Sequence, residues 1–315
     1  MDKDLFKNID VSIIIVNYKD YDITERCISS VIKFTSGLSY EIILVDNNCD
    51  TGKAEKFKQK FREVIYIANQ ENNGFAAANN QGLSKVKGKY VLLLNNDTLF
   101  IEDTLQKVYD FSEQNELSCF IGCKLLNEDL THQESITDFD NLGNVLGENL
   151  FFYKVFPNIR IFNRYYLNRL DFDKQIEVDV IKGAFIFCPT KQLKSLGGFD
   201  ESFFFYGEEV DLCYRFKAMG GKVIYLPTTS IIHIGRATSM KNLLFKFENQ
   251  SKAKLKIYLK YSKGFKLFSM IAFHYIGIFL RIPIYLIFGL LKLNKITILK
   301  SYYYLRTLII LPTKI

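Results

Sequence analysis

Short apolar runs alternate with helical patterns along the first hundred residues of the chain. Val11–Val16 is a β-branched run bounded by polar residues, which is typical of a buried parallel strand. Similar runs predict strands at Glu41–Val45, Val64–Ala68 and Tyr90–Leu94, and helical spacing predicts helices at residues 21–35, 53–62 and 75–84. Strands that alternate with helices predict an α/β fold with a mainly parallel central sheet, right-handed crossovers and flanking helices.

Polar side chains follow three of these predicted strands at the point where each strand ends. Asn17 and Tyr18 follow the first strand, residues 46–48 (Asp-Asn-Asn) the second, and residues 95–97 (Asn-Asn-Asp) the fourth. Ligands of open α/β sheets bind outside the carboxyl ends of the strands. We therefore expect the three polar clusters to converge on one crevice.

The pattern becomes irregular after residue 127 and is regular again from about residue 181. Residues 127–177 are rich in Asn, Asp, Phe and Tyr, and we interpret them as loops and short elements, with a lid on the acceptor side as one candidate role. The elements predicted after them are a strand at Ile181–Cys188, helices at residues 190–196 and 209–219, and strands at Val223–Leu226 and Ser230–Ile234.

Asp97 is a candidate metal ligand because it follows a buried strand and faces the expected crevice. A carboxylate in that position suits a hard divalent cation that bridges diphosphate oxygens. The alternative is an aspartate that caps a helix or closes a turn, and Asp46 has the same alternative. Two acidic strand ends in one crevice favour a site. His233, in an apolar strand, is either a hydrogen-bonded core residue or a further ligand beside Asp97.

Three carboxylates occur within four residues at Glu208, Glu209 and Asp211. Crowding and desolvation would raise the pKa of at least one of them, as a general base requires. The alternative is a solvated helix N-terminus, where acids interact favourably with the helix dipole. The preceding residues 203–206, three Phe and a Tyr, indicate a packed environment and favour the base.

Composition and charge indicate a folded chain with two electrostatically different parts. The 315 residues are 48% hydrophobic and 24% charged, which is typical of globular rather than disordered chains. The net charge of +7 is unevenly distributed, because residues 241–315 hold 14 Lys and Arg against one acid, Glu248. Residues 1–240 are mildly acidic. This asymmetry argues against a nucleic-acid-binding protein and predicts a separate partner for the basic tail.

Two features of the sequence predict a cytoplasmic location for the N-terminal part. The first ten residues, MDKDLFKNID, are charged and lead into a strand-like run rather than into the apolar core of a signal peptide. The six cysteines contain no C-x-x-C pair, and we interpret them as buried, reduced thiols.

The tail combines a basic amphipathic stretch with a long apolar one. Residues 241–266 alternate Lys with apolar residues, and residues 267–291 are apolar and long enough to cross a bilayer. His274, Arg281 and Pro283 interrupt the apolar stretch, and a central arginine costs roughly 2.5–3.5 kcal/mol on insertion scales. We therefore favour an interfacial or re-entrant hairpin with Lys residues on anionic headgroups. A soluble helical subdomain and a transmembrane helix are the alternatives.

An ordered set of motifs gives the chain a resemblance to a known family. The motifs are VSIIIVNY, ILVDNN, NNGFAAANN, LLLNND, GGFDESFFFYGEEVDLCYR and HIG. Each is weak alone, but in this order they resemble the family-2 glycosyltransferases of the GT-A fold, and most closely the bacterial rhamnosyltransferase-like branch. The resemblance covers about residues 10–240. It implies a GT-A catalytic domain at 1–240 and leaves 241–315 as a helical, membrane-associating region.

The resemblance implies a donor pocket and a metal site for Mg²⁺ or Mn²⁺. Asp97 matches the last position of the acidic metal motif, and His233 matches a residue that ligates the metal or touches the diphosphate in similar enzymes. Asn95 stands where many relatives have Asp, which leaves the number of protein ligands open. The implied donor-binding positions are Asn17, Tyr18, Asp46, Asn47, Asn73, Gly74, Phe75, Asn79, Asn95 and Asn96.

The resemblance also implies a catalytic base and a reaction. Glu209 matches the position of the base, which is usually Asp, so Glu208 is an alternative base with Asp211 behind it. The implied reaction is an inverting single displacement, in which the base deprotonates an acceptor hydroxyl that attacks the anomeric carbon. The implied donor is dTDP-rhamnose or a UDP-sugar. The implied acceptor is a lipid-linked or growing cell-surface polysaccharide at the cytoplasmic face of the cell membrane.

Two other functions fit parts of the sequence. A nucleotidyltransferase or another nucleotide-binding enzyme would explain the first hundred residues, but not the acidic motif and the downstream histidine. It would also be expected to carry a phosphate loop rich in Gly, Arg or Lys, which residues 11–22 lack. A catalytically inactive, membrane-associated scaffold would retain the fold and tolerate the changes at Asn95 and Glu209.

Overall fold

The computed structural model describes residues 9–115, 119–166, 172–235 and 243–310, which divide into two compact units. The sheet unit comprises the described residues up to 136, those of 171–204 and residues 208–235. The helical unit comprises the described residues of 137–170, residues 205–207 and the described residues from 236 onward. The predicted domain boundary after residue 240 lies outside the described residues. Residues 137–166, which the predicted boundary assigns to the catalytic domain, group with the tail.

The strands and helices follow the predicted alternation in the first hundred residues. The strands are β1 (Val11–Asn17), β2 (Tyr40–Asn47), β3 (Ile65–Asn69), β4 (Tyr90–Asn95), β5 (Thr98–Phe100), β6 (Cys119–Leu126), β7 (His132–Gln133), β8 (Ile136–Thr137), β9 (Ile176–Glu177), β10 (Val180–Ile181), β11 (Phe185–Pro189) and β12 (Lys222–His233). The helices are α1 (Tyr21–Phe34), α2 (Thr51–Lys60), α3 (Phe75–Leu83), α4 (Thr104–Gln114), α5 (Leu142–Asn149), α6 (Phe152–Val155), α7 (Thr190–Ser195), α8 (Glu208–Ala218), α9 (Leu243–Tyr261), α10 (Gly264–Leu291) and α11 (Lys295–Ile310), with a 3₁₀ turn at Arg160–Phe162.

The sheet unit is built on one mixed sheet with the strand order β3-β2-β1-β4-β11-β6-β12-β5. Strands β3, β2, β1 and β4 are parallel, and β6 is parallel to β12. Strands β11 and β5 are antiparallel to their neighbours. Every residue of β1 is buried, as expected for a central strand that is covered on both faces. The prediction of a mainly parallel α/β sheet is confirmed.

Three predicted strands differ from the observed ones for local reasons. The two strands predicted between residues 223 and 234 are one strand, β12, whose pairing with β6 shifts between Leu226 and Ser230. Pro227 lies in that irregularity, where a residue without a backbone N–H is tolerated. The strand predicted at Ile181–Cys188 is divided by residues 182–184, because the chain turns there between β10 and β11.

The helical unit includes α5, α6 and the three tail helices α9, α10 and α11. Helix α10 packs along α5 and α11, and α9 packs against α10 and α11. Gly277 permits the close approach of α10 to α5, because a Cβ there would lie 2.1 Å from Oδ1 of Asn149. The predicted hairpin within residues 267–291 is wrong, since α10 is continuous through Pro283. The reversal of direction comes at residues 292–294, before α11.

The polar residues that interrupt the apolar stretch lie on the inner face of α10. Arg281 is 9% exposed and donates from Nη1 to the Gly277 carbonyl (2.9 Å) and from Nη2 to the Glu148 carbonyl (2.8 Å). His274, about two turns earlier on the same face, is 5% exposed. The outer face therefore stays apolar, with Phe265, Phe268 and Leu291 strongly exposed.

Candidate active site

The carboxyl ends of β1, β2 and β4 lie side by side, as the polar clusters predicted. In the strand register, Asn17 is opposite Asp46, and Val16 is opposite Asn95. The Asn17 side chain joins the first two clusters, because its Nδ2 donates to Oδ1 of Asp46 (2.9 Å). Its Oδ1 accepts from Thr24, which in turn accepts a hydrogen bond from Asn96 (2.9 Å). The three strand ends thus form one hydrogen-bonded edge.

Asp46 is completely buried, and its carboxylate already has three donors. Oδ1 accepts from Asn17, while Oδ2 accepts from the hydroxyls of Tyr21 (2.5 Å) and Tyr66. Because Asp46 is completely buried, a nucleotide could bond to it directly only if a neighbouring side chain moved aside. The sequence did not identify Tyr21 and Tyr66, because a tyrosine in a helix and one in a short strand carry no local sign of a shared partner.

Asn47 holds the loop that leads into α3. Its Nδ2 donates to the Gly74 carbonyl (3.1 Å), and its Oδ1 accepts from the Asn73 backbone (3.1 Å). The next residue, Phe75, donates its backbone N–H to the Phe204 carbonyl (2.9 Å). Gly74 has a φ of +89°, and a Cβ there would lie 2.8 Å from that carbonyl oxygen, so only glycine fits.

The remaining predicted donor residues differ in how accessible they are. Tyr18 and Asn73 are both exposed, so their side chains can reach a ligand. Asn79 is buried and donates to the Phe75 carbonyl within α3 (2.9 Å), which gives it a local structural bond. The backbone of Asn95 donates to the Ala184 carbonyl (3.1 Å) and is fixed against the turn before β11.

Asp97 and His233 lie next to each other because β5 pairs with the end of β12. His233 is opposite Thr98 in that antiparallel register, and the Asp97 carbonyl accepts from the Ile234 N–H (2.9 Å). Oδ1 of Asp97 is 3.3 Å from Nε2 of His233. Both side chains are mostly but not completely buried. Residues that are 136 positions apart in the chain therefore form one pair at the sheet edge.

Gln133 determines which nitrogen of His233 faces Asp97. Nε2 of Gln133 donates to the His233 carbonyl (2.9 Å), which leaves its Oε1 against Nδ1 of His233 at 2.5 Å. Oε1 can only accept, so Nδ1 carries the proton and Nε2 directs its lone pair toward the Asp97 carboxylate. Two acceptors at that separation need a cation or a further proton between them. This donor set fits a divalent metal.

The described residues contain no group of three His, Cys, Asp or Glu side chains arranged for a metal. Asp97 and His233 are therefore a pair of potential ligands rather than part of a larger cluster in the described part of the chain. Magnesium commonly binds through one or two protein ligands together with substrate phosphates and water. The arrangement is consistent with a metal that depends on a bound diphosphate for its other positions.

Glu208 and Glu209 begin α8 in different environments. Glu208 is buried, and its Oε2 has no hydrogen-bond partner among the described residues. Burial, and secondarily the negative charge of Glu209, raise the pKa of Glu208 well above 4.5. The buried position therefore favours the neutral form of Glu208. Glu209 is only half-buried as a residue, although its Oε2 is enclosed like that of Glu208.

Glu209 is adjacent to the turn that also fixes the end of β4. A Cβ on Gly183 would lie 3.7 Å from Cβ of Glu209, and the next residue, Ala184, accepts from the Asn95 backbone. The acidic motif and the third polar strand end are thus joined through two consecutive residues. Gly183 and Ala184 were not identified in the sequence, since nothing local distinguishes them from other turn residues.

The Asp211 side chain makes a contact that stabilises the fold. Its side chain is completely buried and its Oδ2 accepts from Nε of Arg215 one turn later (2.7 Å). Arg215 in turn donates to the carbonyls of Leu196 (2.8 Å) and Gly198 (2.9 Å), just after α7. The pair ties α8 to the end of α7, which favours a positioning role for Asp211 over proton transfer.

The fold and the motifs match one protein family. The model of glycosyl transferase family 2 matches residues 12–181, which is more than half of the chain. The chain belongs to glycosyl transferase family 2. The matched residues include the carboxyl ends of β1, β2 and β4 and Asp97, and the match ends just before Gly183.

Individual relatives are similar in sequence to part of this chain. The rhamnosyltransferase WbbL of Escherichia coli is 25% identical over 71% of this chain and 83% of its own length. The low-salt glycan biosynthesis hexosyltransferase Agl10 of Haloferax volcanii is 26% identical over 65% of this chain and 61% of its own length. The chain spans between 18% and 61% of the length of the first three curated relatives it matches.

A solved structure shares the fold of this family-2 chain. The crystal structure of GalNAc-T7 with UDP, GalNAc and Mn²⁺ superposes with a TM-score of 0.55 at 16% identity, over 73% of this chain and 44% of that protein. At that identity the likeness concerns the fold. The predicted family and the predicted GT-A fold are both confirmed.

Proposed function

We propose that the chain is a metal-dependent, inverting glycosyltransferase that moves a sugar from a nucleotide-sugar donor to a glycan hydroxyl. The observation that carries the proposal is the Asp97–His233 pair at the carboxyl edge of the parallel strands. Ligands of such sheets bind at that edge. The pair suits a metal that neutralises the charge of a leaving nucleoside diphosphate. The half-buried Glu209 supplies a base beside the same edge.

The proposed reaction needs one proton acceptor and one leaving group. The Glu209 carboxylate takes the proton of the acceptor hydroxyl, and the oxygen forms a bond to the anomeric carbon. The bond from that carbon to the diphosphate breaks, and the diphosphate leaves with the electron pair. We assign Glu208 no proton-transfer role, because its burial favours the neutral carboxyl, and we assign the base to Glu209.

The donor is proposed to be a nucleotide-sugar, either dTDP-rhamnose or a UDP-sugar. The rhamnosyltransferase among the relatives supports the first, and the UDP complex of the structural neighbour supports the second. Tyr18 and Asn73 are exposed at the strand edge and are the residues we expect to touch the nucleotide directly. Asn17, Asp46, Asn47 and Asn79 are buried in bonds to the protein, and we assign them the shaping of the pocket.

The acceptor is proposed to be a lipid-linked or growing polysaccharide at a membrane surface. Among the described residues, α10 is the one helix long and apolar enough to cross a bilayer by length and composition. Its outer face is apolar, and exposed Lys263, Lys266 and Lys292 flank it. An apolar face flanked by lysines suits an interfacial helix on anionic lipid. The relative in glycan biosynthesis supports such an acceptor.

Donor turnover with and without metal tests this proposal. The full chain is incubated with a panel of dTDP- and UDP-sugars in Mg²⁺, Mn²⁺ or EDTA, and released nucleoside diphosphate is measured. We expect metal-dependent release from one donor, and its loss in Asp97→Asn. Asp110→Asn, an exposed carboxylate on α4, is the matched control and should keep the wild-type rate. No metal-dependent release from any donor would favour the inactive scaffold.

A further inference from the structure

A partly open cavity with charged side chains in its lining lies within the helical unit. It has a volume of about 100 Å³ and is lined from α5, α9, α10 and α11. Its charged lining residues are Lys254, Arg281 and Glu148, and its neutral polar lining includes His274 and Ser251. A cavity of this size and polarity can hold several waters or one small polar group.

The cavity has more hydrogen-bond donors than its own acceptors satisfy. Arg281 uses two of its five N–H groups, both on backbone carbonyls, and it has no ion pair among the described residues. Lys254 uses one N–H on Oε1 of Glu148 (2.5 Å). Both ring nitrogens of His274 are buried without a hydrogen-bond partner in the described part of the chain. A desolvated guanidinium and an unpaired imidazole are costly to bury.

The electrostatic environment of the cavity is positive. Burial alone would raise the pKa of Glu148, but the charges of Lys254, Arg164 and Arg281 outweigh it and lower the pKa to about 2. Burial, and then the positive charges of Lys254 and Arg281, lower the pKa of His274 to about 3. The carboxylate of Glu148 thus neutralises one of the two lining cations and leaves one in excess. An anion would be attracted to the same place.

We propose that this cavity binds a phosphoryl group, with Lys254 and Arg281 providing charge and His274 donating a hydrogen bond from its ring. A phosphoryl group offers several acceptor oxygens, which match the surplus N–H groups of the three side chains. The same chemistry is present in free phosphate and in the headgroup of a phosphomonoester lipid. The location in the helical unit is independent of whether the sheet unit transfers sugars.

The test measures binding of two soluble probes by titration calorimetry, without sugar donor. The probes are inorganic phosphate and a short-chain phosphatidic acid below its micelle concentration. We expect saturable binding of at least one probe and an approximately tenfold loss in Lys254→Gln, from the loss of a charge-assisted bond. Lys266→Gln removes an equal charge from the exposed start of α10 and should leave the affinity unchanged.

Two neutral substitutions separate a binding site from a general charge effect. His274→Gln keeps a donor of similar size but changes its geometry, and Ser251→Leu fills the cavity without changing charge; both should weaken binding at least severalfold. Circular dichroism verifies that each variant is folded. Binding of both probes indicates a site for a free phosphoryl group, and binding of phosphatidic acid alone indicates a lipid. Absence of saturable binding, or equal affinity in wild type, Lys254→Gln and Ser251→Leu, overturns the proposal.

Discussion

At the residue scale, the geometry of the Asp97–His233 pair depends on Gln133. Gln133 fixes the proton on Nδ1 of His233 and so prepares Nε2 to face the carboxylate. Residues that orient a metal ligand typically contribute 10- to 100-fold in metal affinity or activity. Gln133→Leu should therefore weaken Mn²⁺ binding by about that factor, as measured by electron paramagnetic resonance in the presence of nucleoside diphosphate. Gln114→Leu, at an exposed position on α4, should not change it.

The two neighbouring glutamates allow the base to be identified by substitution. Glu209→Gln should lower the transfer rate by about 10²- to 10⁴-fold, because it removes the proton acceptor. Glu208→Gln should have a much smaller effect, because an amide resembles the protonated carboxyl that the buried environment favours. The initial rate at saturating donor is the measurement. A large loss in Glu208→Gln with near-normal Glu209→Gln would exchange the two roles.

Glu208 also predicts how stability depends on pH. Its pKa is raised in the folded state, so the folded chain binds this proton more tightly than the unfolded chain does. The resulting stabilisation is fully present below about pH 4.5, near the ordinary pKa, and is lost as pH rises through the folded-state pKa. Glu208→Gln should reduce the fall in melting temperature between pH 5 and pH 8. Glu63→Gln, an exposed acid, should leave that fall unchanged.

At the level of elements, the strands that depend on a local sequence pattern could be predicted. The side-chain partners that depend on contacts between distant residues could not. The apolar runs of β1, β2 and β4 were located to within one or two residues, because buried parallel strands carry a continuous signal. The convergence of Asn17, Asp46 and Asn95 followed from topology alone. The partners Tyr66 and Gln133 could not be predicted, since their contacts join residues 20 and 100 positions apart.

Helix α10 is another element for which distant contacts outweigh the local sequence pattern. Arg281 and Pro283 argued against one continuous helix, but two N–H groups of Arg281 donate to carbonyls inside the helical unit, which holds its charge on the inner face. Pro283 destabilises the helix, because it has no N–H to donate to the Phe279 carbonyl. Pro283→Ala should stabilise the helical unit by about 1–3 kcal/mol and slow amide exchange in the second half of α10. Ile287→Ala, also exposed on α10, should not stabilise it.

At the level of the whole molecule, charge is unevenly distributed between a mildly acidic N-terminal part and a basic C-terminal part. Residues 241–315 hold the excess of Lys and Arg, and the outer face of α10 is apolar. Vesicles with an anionic lipid should therefore bind the full chain, whereas neutral vesicles should bind it more weakly. Each lysine near an anionic surface contributes about 1 kcal/mol, and salt screens that contribution.

Vesicle flotation tests the two contributions separately. Lys266→Gln should weaken binding to anionic vesicles about fivefold at low salt, and the difference should shrink as salt is added. The double substitution Phe265→Ser and Phe268→Ser should weaken binding at all salt concentrations, because these rings are 80% and 70% exposed and would enter the lipid. Phe156→Ser, exposed outside the tail, serves as the control. Binding that survives loss of both rings and high salt would exclude the outer face of α10 as the membrane contact.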